Sequence, residues 1–366
     1  MPLQVMLLHD ALTPTAVLLL SLFLSCNGAE QQEHPWERKT LTVRTRRASA
    51  RKDGVAYMQV AVSPNVSLSV LASGASQRDA SGTVVFLHGF PEGSWLWTDV
   101  MGEVEKRRPD LQLLAPDQRG YNSSSKPSGL SDYVVSQLVA DVAALVNVFS
   151  SGGVHLVAHD WGGAVAWAFA QAHPRLLHSL TIVNMAHPSG WISLIRAGGL
   201  QARQSTYVLR FVNPHSTAEL TALDHAALRA IFRKEAWFSG GNRDALLRSW
   251  SRTGSVDSAL NWYRANVQPR CPLSCVTADC WRQGLNTTFD DIFTSRPVVH
   301  TPTHVIWGMR DFAFDNLGSL GYIRNNVTFL KGLRISNYSE YGHWIANEAP
   351  LLLATTFLEF IQGIYS

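Results

Sequence analysis

The chain has 366 residues, of which 46% are hydrophobic and 16% are charged, and its formal net charge is +3. This length is enough for one large hydrophobic core and an inserted subdomain. The net charge is too small to indicate a nucleic-acid partner, and we expect none.

The N-terminus carries the pattern of a targeting segment. Residues 16–24 (AVLLLSLFL) have the length and apolarity of a signal-peptide core, and small residues follow at 25–29. No Lys or Arg precedes the core, whereas a basic stretch follows it, and this charge distribution disfavours translocation of the downstream chain. We expect residues 1–29 to direct the chain into the secretory pathway, either as a cleaved signal or as a retained membrane anchor. Residues 30–55 predict a polar, basic linker.

Two further features bear on the secretory route. Five N-x-S/T sequons occur, at Asn65, Asn122, Asn286, Asn326 and Asn337. Four of them are candidate glycosylation sites, and Asn122 is expected to be bare because it lies beside a predicted active-site loop. Cys271, Cys275 and Cys280 permit one local disulfide and leave one thiol, with the pairing open. Their spacing does not fit a zinc site, so we expect no metal.

Alternating apolar segments and helical patterns predict the core. Residues 57–63 and 66–71 alternate apolar and polar around a Pro-Asn turn, which predicts a hairpin at a sheet edge. Short apolar runs predict buried strands at 83–87, 111–115, 154–158, 180–183 and 304–307. Helices are expected at 131–150, capped by Ser131, and at 164–172. Such alternation predicts an α/β fold with a mostly parallel sheet and helices on both faces.

This alternation stops between about 191 and 296, where the chain is helical in pattern, aromatic and punctuated by Gly and Pro. We interpret this segment as a helical cap inserted into the sheet domain. The core would then consist of residues 56–190 and 297–366.

The segment 158–163 (AHDWGG) carries the strongest local signal. A strand-to-helix turn this tight needs small residues on both sides of its centre, and Ala158 and Gly162 meet that need. The centre is Asp160, a carboxylate that is ionised at neutral pH and needs no base in order to attack. We predict that Asp160 is a nucleophile; the alternative is that it merely caps the following helix.

An aspartyl ester must afterwards be hydrolysed, which requires a general base, a carboxylate that orients it, and oxyanion donors. His343, in a loop before a closing helix at 348–364, and Asp311, just after a strand, follow Asp160 in the expected order. The backbone amides of Phe90, in the segment 87–92 (LHGFPE), and of Trp161 are the predicted oxyanion donors.

These motifs, with the run 117–121 (DQRGY) and the closing GHW, resemble the epoxide hydrolases of the α/β-hydrolase fold from about residue 55 to the C-terminus. The resemblance implies two cap tyrosines that donate to the epoxide oxygen. They are Tyr207, in 207–214 (YVLRFVNP), and Tyr263, in 261–264 (NWYR), although either could be ordinary cap packing. The chain departs from the family at Asn122, where Gly is usual, and in the three-cysteine segment.

The resemblance implies hydrolysis of hydrophobic epoxides, such as those of lipids, terpenoids or xenobiotics, to vicinal diols, with water as co-substrate and no cofactor. Two alternatives stay open. A haloalkane dehalogenase would need a side-chain amide at the position of Phe90, which offers none. A non-catalytic lipid carrier or receptor would have no need of the aligned catalytic groups.

Overall fold

The computed structural model describes residues 46–47, 56–272, 274–293 and 296–365. The predicted signal or anchor, and the predicted linker apart from Arg46–Arg47, lie outside these described residues. Within the described ranges, no helix combines the length and apolarity needed to cross a membrane.

Thirteen strands are described. They are β1 (Arg46–Arg47), β2 (Ala56–Ser63), β3 (Val66–Gly74), β4 (Gly82–Leu87), β5 (Leu111–Asp117), β6 (Val154–His159), β7 (Leu177–Val183), β8 (Val267–Pro269), β9 (Leu285–Thr287), β10 (Val298–Val299), β11 (Thr303–Gly308), β12 (Thr328–Phe329) and β13 (Leu333–Tyr338). Nine of these form the main sheet in the order β1-β2-β3-β5-β4-β6-β7-β11-β13. Pairing is antiparallel from β1 to β5 and parallel from β5 to β13.

The predicted hairpin and the five predicted buried strands are all present, and each strand is slightly longer than its apolar run. β13 was not predicted. It is the last strand of the sheet, its residues are partly buried or exposed, and it lacks the continuous apolar run that marked the central strands.

Twelve helices are described. They are α1 (Thr98–Arg107), α2 (Val135–Phe149), α3 (Trp161–Ala172), α4 (Pro188–Ala197), α5 (Leu200–Gln204), α6 (Thr206–Phe211), α7 (Ser216–Ile231), α8 (Gly240–Trp250), α9 (Ser255–Asn266), α10 (Asn316–Asn326), α11 (Ile345–Glu348) and α12 (Pro350–Tyr365). Helices α2 and α3 pack on one face of the sheet, with Val85 and Leu87. Helices α1 and α12 pack on the other, with Val84 and Phe86. The predicted α/β architecture is therefore confirmed, because alternate residues of β4 supply two separate hydrophobic cores.

Two helix boundaries were predicted wrongly. Ser131 does not cap α2, because Leu130–Tyr133 form a separate 3₁₀ turn and the extended residue Val134 precedes the helix. The closing helix is also two helices, with α11 ending at Glu348 and α12 starting at Pro350, a residue suited to the first turn of a new helix.

A helical insertion, α4 to α9, follows β7 and precedes the final part of the sheet. Helix α7 is interrupted at Ala222–His225, where Leu223, Asp224 and His225 all have positive φ. The cysteine pairing left open by the sequence is Cys271–Cys280, and Cys275 keeps its thiol. In this pairing only one of the three sulfurs can act as a thiolate ligand for a metal.

Candidate active site

Asp160 lies at the turn between β6 and α3, with φ 49° and ψ −126°. A positive φ is unfavourable for a residue with a side chain, so the neighbouring backbone must hold it in place. At Gly162 a Cβ atom would lie 2.6 Å from the carbonyl oxygen of His88. At Gly89 a Cβ atom would lie 2.3 Å from the Cβ atom of Asp160. The Asp160 side chain makes no capping hydrogen bond to α3. The turn therefore presents the carboxylate to other partners.

Those partners are the loop after β4 and the loop before α11. The Phe90 amide donates to Asp160 Oδ1 at 2.8 Å, and His343 Nε2 lies 3.6 Å from Oδ2. Burial opposes ionisation of Asp160, but the hydrogen bonds from His343 and Phe90 outweigh it and hold its pKa below the usual value. Trp161 is the first residue of α3 and directly follows Asp160, and its amide as a second oxyanion donor stays a prediction.

His343 is held from its other nitrogen. Its Nδ1 bonds to Asp311 Oδ2 at 2.8 Å, and the amides of Ala313 and Phe314 donate to Asp311 Oδ1 at 2.7 and 3.2 Å. Burial disfavours the imidazolium, but the negative charges of Asp311 and Asp160 outweigh burial and raise the pKa of His343 to about 10. The structure thus brings the three predicted residues into one chain of carboxylate, imidazole and carboxylate.

Asn184 belongs to this site and was missed from the sequence. It follows β7, is fully buried and has φ 42°. Its Nδ2 donates to Asp311 Oδ2 at 2.7 Å, and its Oδ1 accepts from the Gly308 amide at 2.8 Å. The available signal was its place directly after a predicted strand, at the sheet edge where Asp311 also lies.

A second pair of buried groups, Glu92 and His159, lies next to His343. Glu92 and His159 are both fully buried, and Glu92 Oε2 lies 3.4 Å from His159 Nδ1. His159 Nε2 in turn bonds to the backbone oxygen of His343 at 2.9 Å. Burial raises the pKa of Glu92 above its usual value. Both residues stand inside motifs that the sequence analysis used, but neither was assigned a role.

The loop that carries Phe90 is fixed by the segment after β5. The backbone amide of Gln118 donates to His88 Nε2 at 3.0 Å, and its side chain donates to the His88 carbonyl at 2.6 Å. Asn122 has φ 38°, as expected for an Asn in place of Gly, and its side-chain Nδ2 donates to Asp117 Oδ2 at 2.9 Å. Asn122 is thus part of the loop framework.

Tyr207 in α6 and Tyr263 in α9 line the same cavity as Asp160, and their ring centroids lie 6.5 Å apart. Burial raises the pKa of Tyr207 and of Tyr263, and the negative charge of Asp160 raises both further. Both phenols therefore keep their protons at neutral pH and can donate hydrogen bonds into the cavity.

The cavity has two arms, and Asp160, Tyr207 and Tyr263 line both of them. The narrow arm, of about 40 Å³, is otherwise lined by Trp161, Ala164, Met185, Pro188, Trp191, Val208, Val267, Phe289 and Phe314. The wide arm, of about 280 Å³, is otherwise lined by Phe90, Pro91, Arg210, Phe211, Ser216, Glu219, Leu220, Ala227, Ile231, Phe312, Ala313, His343 and Trp344. The carboxylate and the two phenols thus stand where the arms meet.

A family model described as the alpha/beta hydrolase fold matches residues 82–350, and the chain belongs to this family. Among curated proteins, it is 28% identical to the AB hydrolase superfamily protein YfhM of Bacillus subtilis, over 81% of this chain and 95% of that protein. It is 25% identical to epoxide hydrolase 4 of Mus musculus, over 76% of this chain and 72% of the relative.

Solved structures give the same picture. An inhibitor complex of the Bacillus megaterium epoxide hydrolase superposes with a TM-score of 0.68 at 25% identity, covering 81% of this chain and 97% of that one. A metagenomic epoxide hydrolase from hot environments superposes with a TM-score of 0.64 at 26% identity, covering 88% and 99%. The chain is therefore an α/β hydrolase related to epoxide hydrolases.

Proposed function

We propose that this protein is an epoxide hydrolase that converts hydrophobic epoxides to vicinal diols. One observation carries the proposal: an ionised carboxylate, Asp160, and two protonated phenols, Tyr207 and Tyr263, line the junction of both cavity arms. A nucleophile and acid donors that share one apolar space are what the opening of a strained three-membered ether requires. The relatives named as epoxide hydrolases support the same activity.

In the first half-reaction, Asp160 attacks one ring carbon and the bond from that carbon to the epoxide oxygen breaks. The oxygen takes the electron pair as an alkoxide, to which Tyr207 and Tyr263 donate. Because the lining around them is mostly apolar, each phenol stabilises the developing charge more than it would in solvent. One of the two phenols gives its proton to the alkoxide, so the product is an ester between Asp160 and the substrate with a hydroxyl on the adjacent carbon, and one phenolate remains in the cap.

In the second half-reaction, water attacks the carbonyl carbon of the Asp160 ester. His343 accepts the water proton at Nε2, while Asp311 fixes the ring from Nδ1. The Phe90 amide, which already donates to Asp160 Oδ1 at 2.8 Å, supports the oxyanion. When the tetrahedral intermediate collapses, the second diol oxygen leaves and takes the proton from His343. The carboxylic acid left at Asp160 gives its proton back to the phenolate, which restores both groups.

The two alternative functions, a haloalkane dehalogenase and a non-catalytic lipid carrier or receptor, have less support than an epoxide hydrolase. The side chain of Phe90 packs against the rings of Phe211 and Tyr263, with centroids 5.0 and 5.3 Å apart, and supplies no donor for a halide. A carrier would not need His343 poised 3.6 Å from Asp160, and an unneeded buried ion pair costs desolvation energy.

The test is diol release from a panel of epoxides. We expect Asp160→Ala to abolish it and His343→Gln to accumulate an ester at Asp160 that intact-protein mass spectrometry detects as the substrate mass added. Asp99→Ala, an exposed aspartate in the first turn of α1, is the matched control and should keep full activity. Full activity of Asp160→Ala, or no trapped ester in a folded His343→Gln, would refute the proposal.

We further propose that the protein passes through the secretory pathway. Asn65, Asn286, Asn326 and Asn337 are all exposed, and a disulfide joins Cys271 and Cys280, which favours an oxidising compartment.

A further inference from the structure

The two arms of the cavity differ greatly in size, and the difference bears on the shape of the substrate. The narrow arm measures about 40 Å³ and the wide arm about 280 Å³, so the wide arm has about seven times the volume of the narrow one. Because the nucleophile stands at their junction, the two substituents of a bound epoxide must enter different arms.

The walls of the narrow arm are fixed by their own packing. Trp191 Nε1 donates to Ser205 Oγ at 3.0 Å, and its ring meets that of the fully buried Trp281 edge-on. Phe289 stacks against Trp161 at 6.2 Å and against Phe293 at 6.3 Å. Enlarging this arm would break these contacts, so a long substituent cannot create its own space there.

Met185 closes the same arm against α3. A Cβ atom at Gly163 would lie 2.7 Å from the Met185 Cβ atom, so the methionine is packed directly onto the helix that follows Asp160. Phe314 is held at the opposite side by its ring contact with Trp307 and by the hydrogen bond that its backbone amide donates to Asp311. Apart from the three shared residues, the narrow arm has only apolar and aromatic walls.

The wide arm reaches solvent. Phe312 is 50% exposed, and the side chains of the ion pair Arg210–Glu219 are 58% and 44% exposed. Between this mouth and the junction, the apolar residues Leu220, Ala227 and Ile231 of α7 line the space. A long hydrocarbon chain would bury its methylenes along these residues and leave its far end near the charged mouth.

We propose that the substrates are unsymmetrical epoxides, with a short substituent in the narrow arm and a long apolar chain in the wide arm. This inference rests on the proposed function and specifies its substrate class. Met185 and Phe289 set the limit on the small substituent.

The test compares two isomers of trans-epoxydodecane: one bears methyl and nonyl substituents, and the other bears two pentyl substituents. They have the same formula and the same substitution at both ring carbons, so intrinsic reactivity is matched. Because a few excess methylenes in a narrow apolar pocket change discrimination by about tenfold or more, we expect kcat/KM for the methyl–nonyl isomer to exceed that for the dipentyl isomer by at least about tenfold.

Two variants assign this preference to the narrow arm. Met185→Ala and Phe289→Ala should each raise kcat/KM for the dipentyl isomer relative to that for the methyl–nonyl isomer by about tenfold. Phe149→Ala truncates a phenylalanine that is as buried but lies in α2, outside both cavity linings, and should leave the ratio unchanged. A thermal unfolding transition shows whether each variant is folded. Met185→Ala removes less volume than Phe289→Ala and keeps the test possible if Phe289→Ala does not fold.

The outcomes separate the inference from the function on which it rests. If no epoxide of any kind is hydrolysed, the proposed function fails. If epoxides are hydrolysed but the wild-type protein handles both dodecane isomers equally, prefers the dipentyl isomer or accepts neither, the unsymmetrical substrate class is overturned. If the preference is found but a folded Met185→Ala or Phe289→Ala leaves it intact, its assignment to these residues is overturned.

Discussion

Formation of the ester should lower the pKa of His343 and so favour its neutral, basic form. In the free protein, burial opposes protonation, but the charges of Asp311 and Asp160 raise the pKa of His343 to about 10. At neutral pH the ring is therefore protonated and cannot accept a proton from water. Esterification of Asp160 removes one negative charge 3.6 Å from Nε2 and leaves the bond to Asp311 in place.

The magnitude follows from the loss of one close charge. Removing an opposite charge within a few ångströms lowers the pKa of a basic group by roughly 1 to 3, so we expect the pKa of His343 to be about 7 to 9 in the ester. This change corresponds to about 1.4 to 4 kcal/mol in favour of the neutral imidazole. At neutral pH a larger fraction of His343 is therefore neutral after Asp160 has reacted than before.

Transient kinetics can resolve the two steps. Trp161 adjoins Asp160 and lines the narrow arm, so its fluorescence should report ester formation and decay. We expect the rate of ester decay to rise with pH through about 7 to 9, whereas histidine NMR of the free protein, assigned with His343→Gln, should show a titration near 10. Asp311→Asn is the control and should lower both values. An ester decay that titrates at the same pH as the free protein would refute this reasoning.

Three further predictions concern single groups. Tyr207→Phe and Tyr263→Phe should each slow ester formation by about 10²- to 10³-fold, the usual loss for one oxyanion donor, and leave ester decay nearly unchanged; equal slowing of both phases would contradict this. Asn184→Ala should leave Asp311 Oδ2 with only its bond to His343 and lower kcat without changing KM, and an unchanged kcat would argue against a positioning role. Protein secreted by eukaryotic cells should lose mass on glycosidase treatment at the four exposed sequons and not at Asn122, as peptide mapping would show.

The nucleophile turn was predictable because its constraints are local. A tight strand-to-helix connection requires small residues at fixed positions, and the segment 158–163 shows them without any knowledge of the rest of the fold. The order of Asp160, Asp311 and His343 along the sequence was a second constraint that could be recognised without the fold. The contact of Asp311 with His343 at 2.8 Å depends on the parallel sheet, which the apolar strand runs predicted.

Contacts that depend on tertiary packing could not be predicted in this way. Asn184 acts on Asp311 across 127 positions of sequence, and nothing beside Asn184 indicates that partner. The pair of Glu92 and His159 is similar, because two buried groups in different motifs meet only in the folded core. The sizes of the two cavity arms arise from side chains of several helices and loops, so no single motif encodes them.

The break in α7 affects how the substrate range of this protein could be altered. Leu223, Asp224 and His225 all have left-handed backbone angles, so a kink separates Leu220 from Ala227, although both line the wide arm. The two stretches of the helix are therefore separate units of the same wall. Substitutions in one stretch can reshape one end of the channel without shifting the register of the other, which offers two independent positions from which to tune chain length.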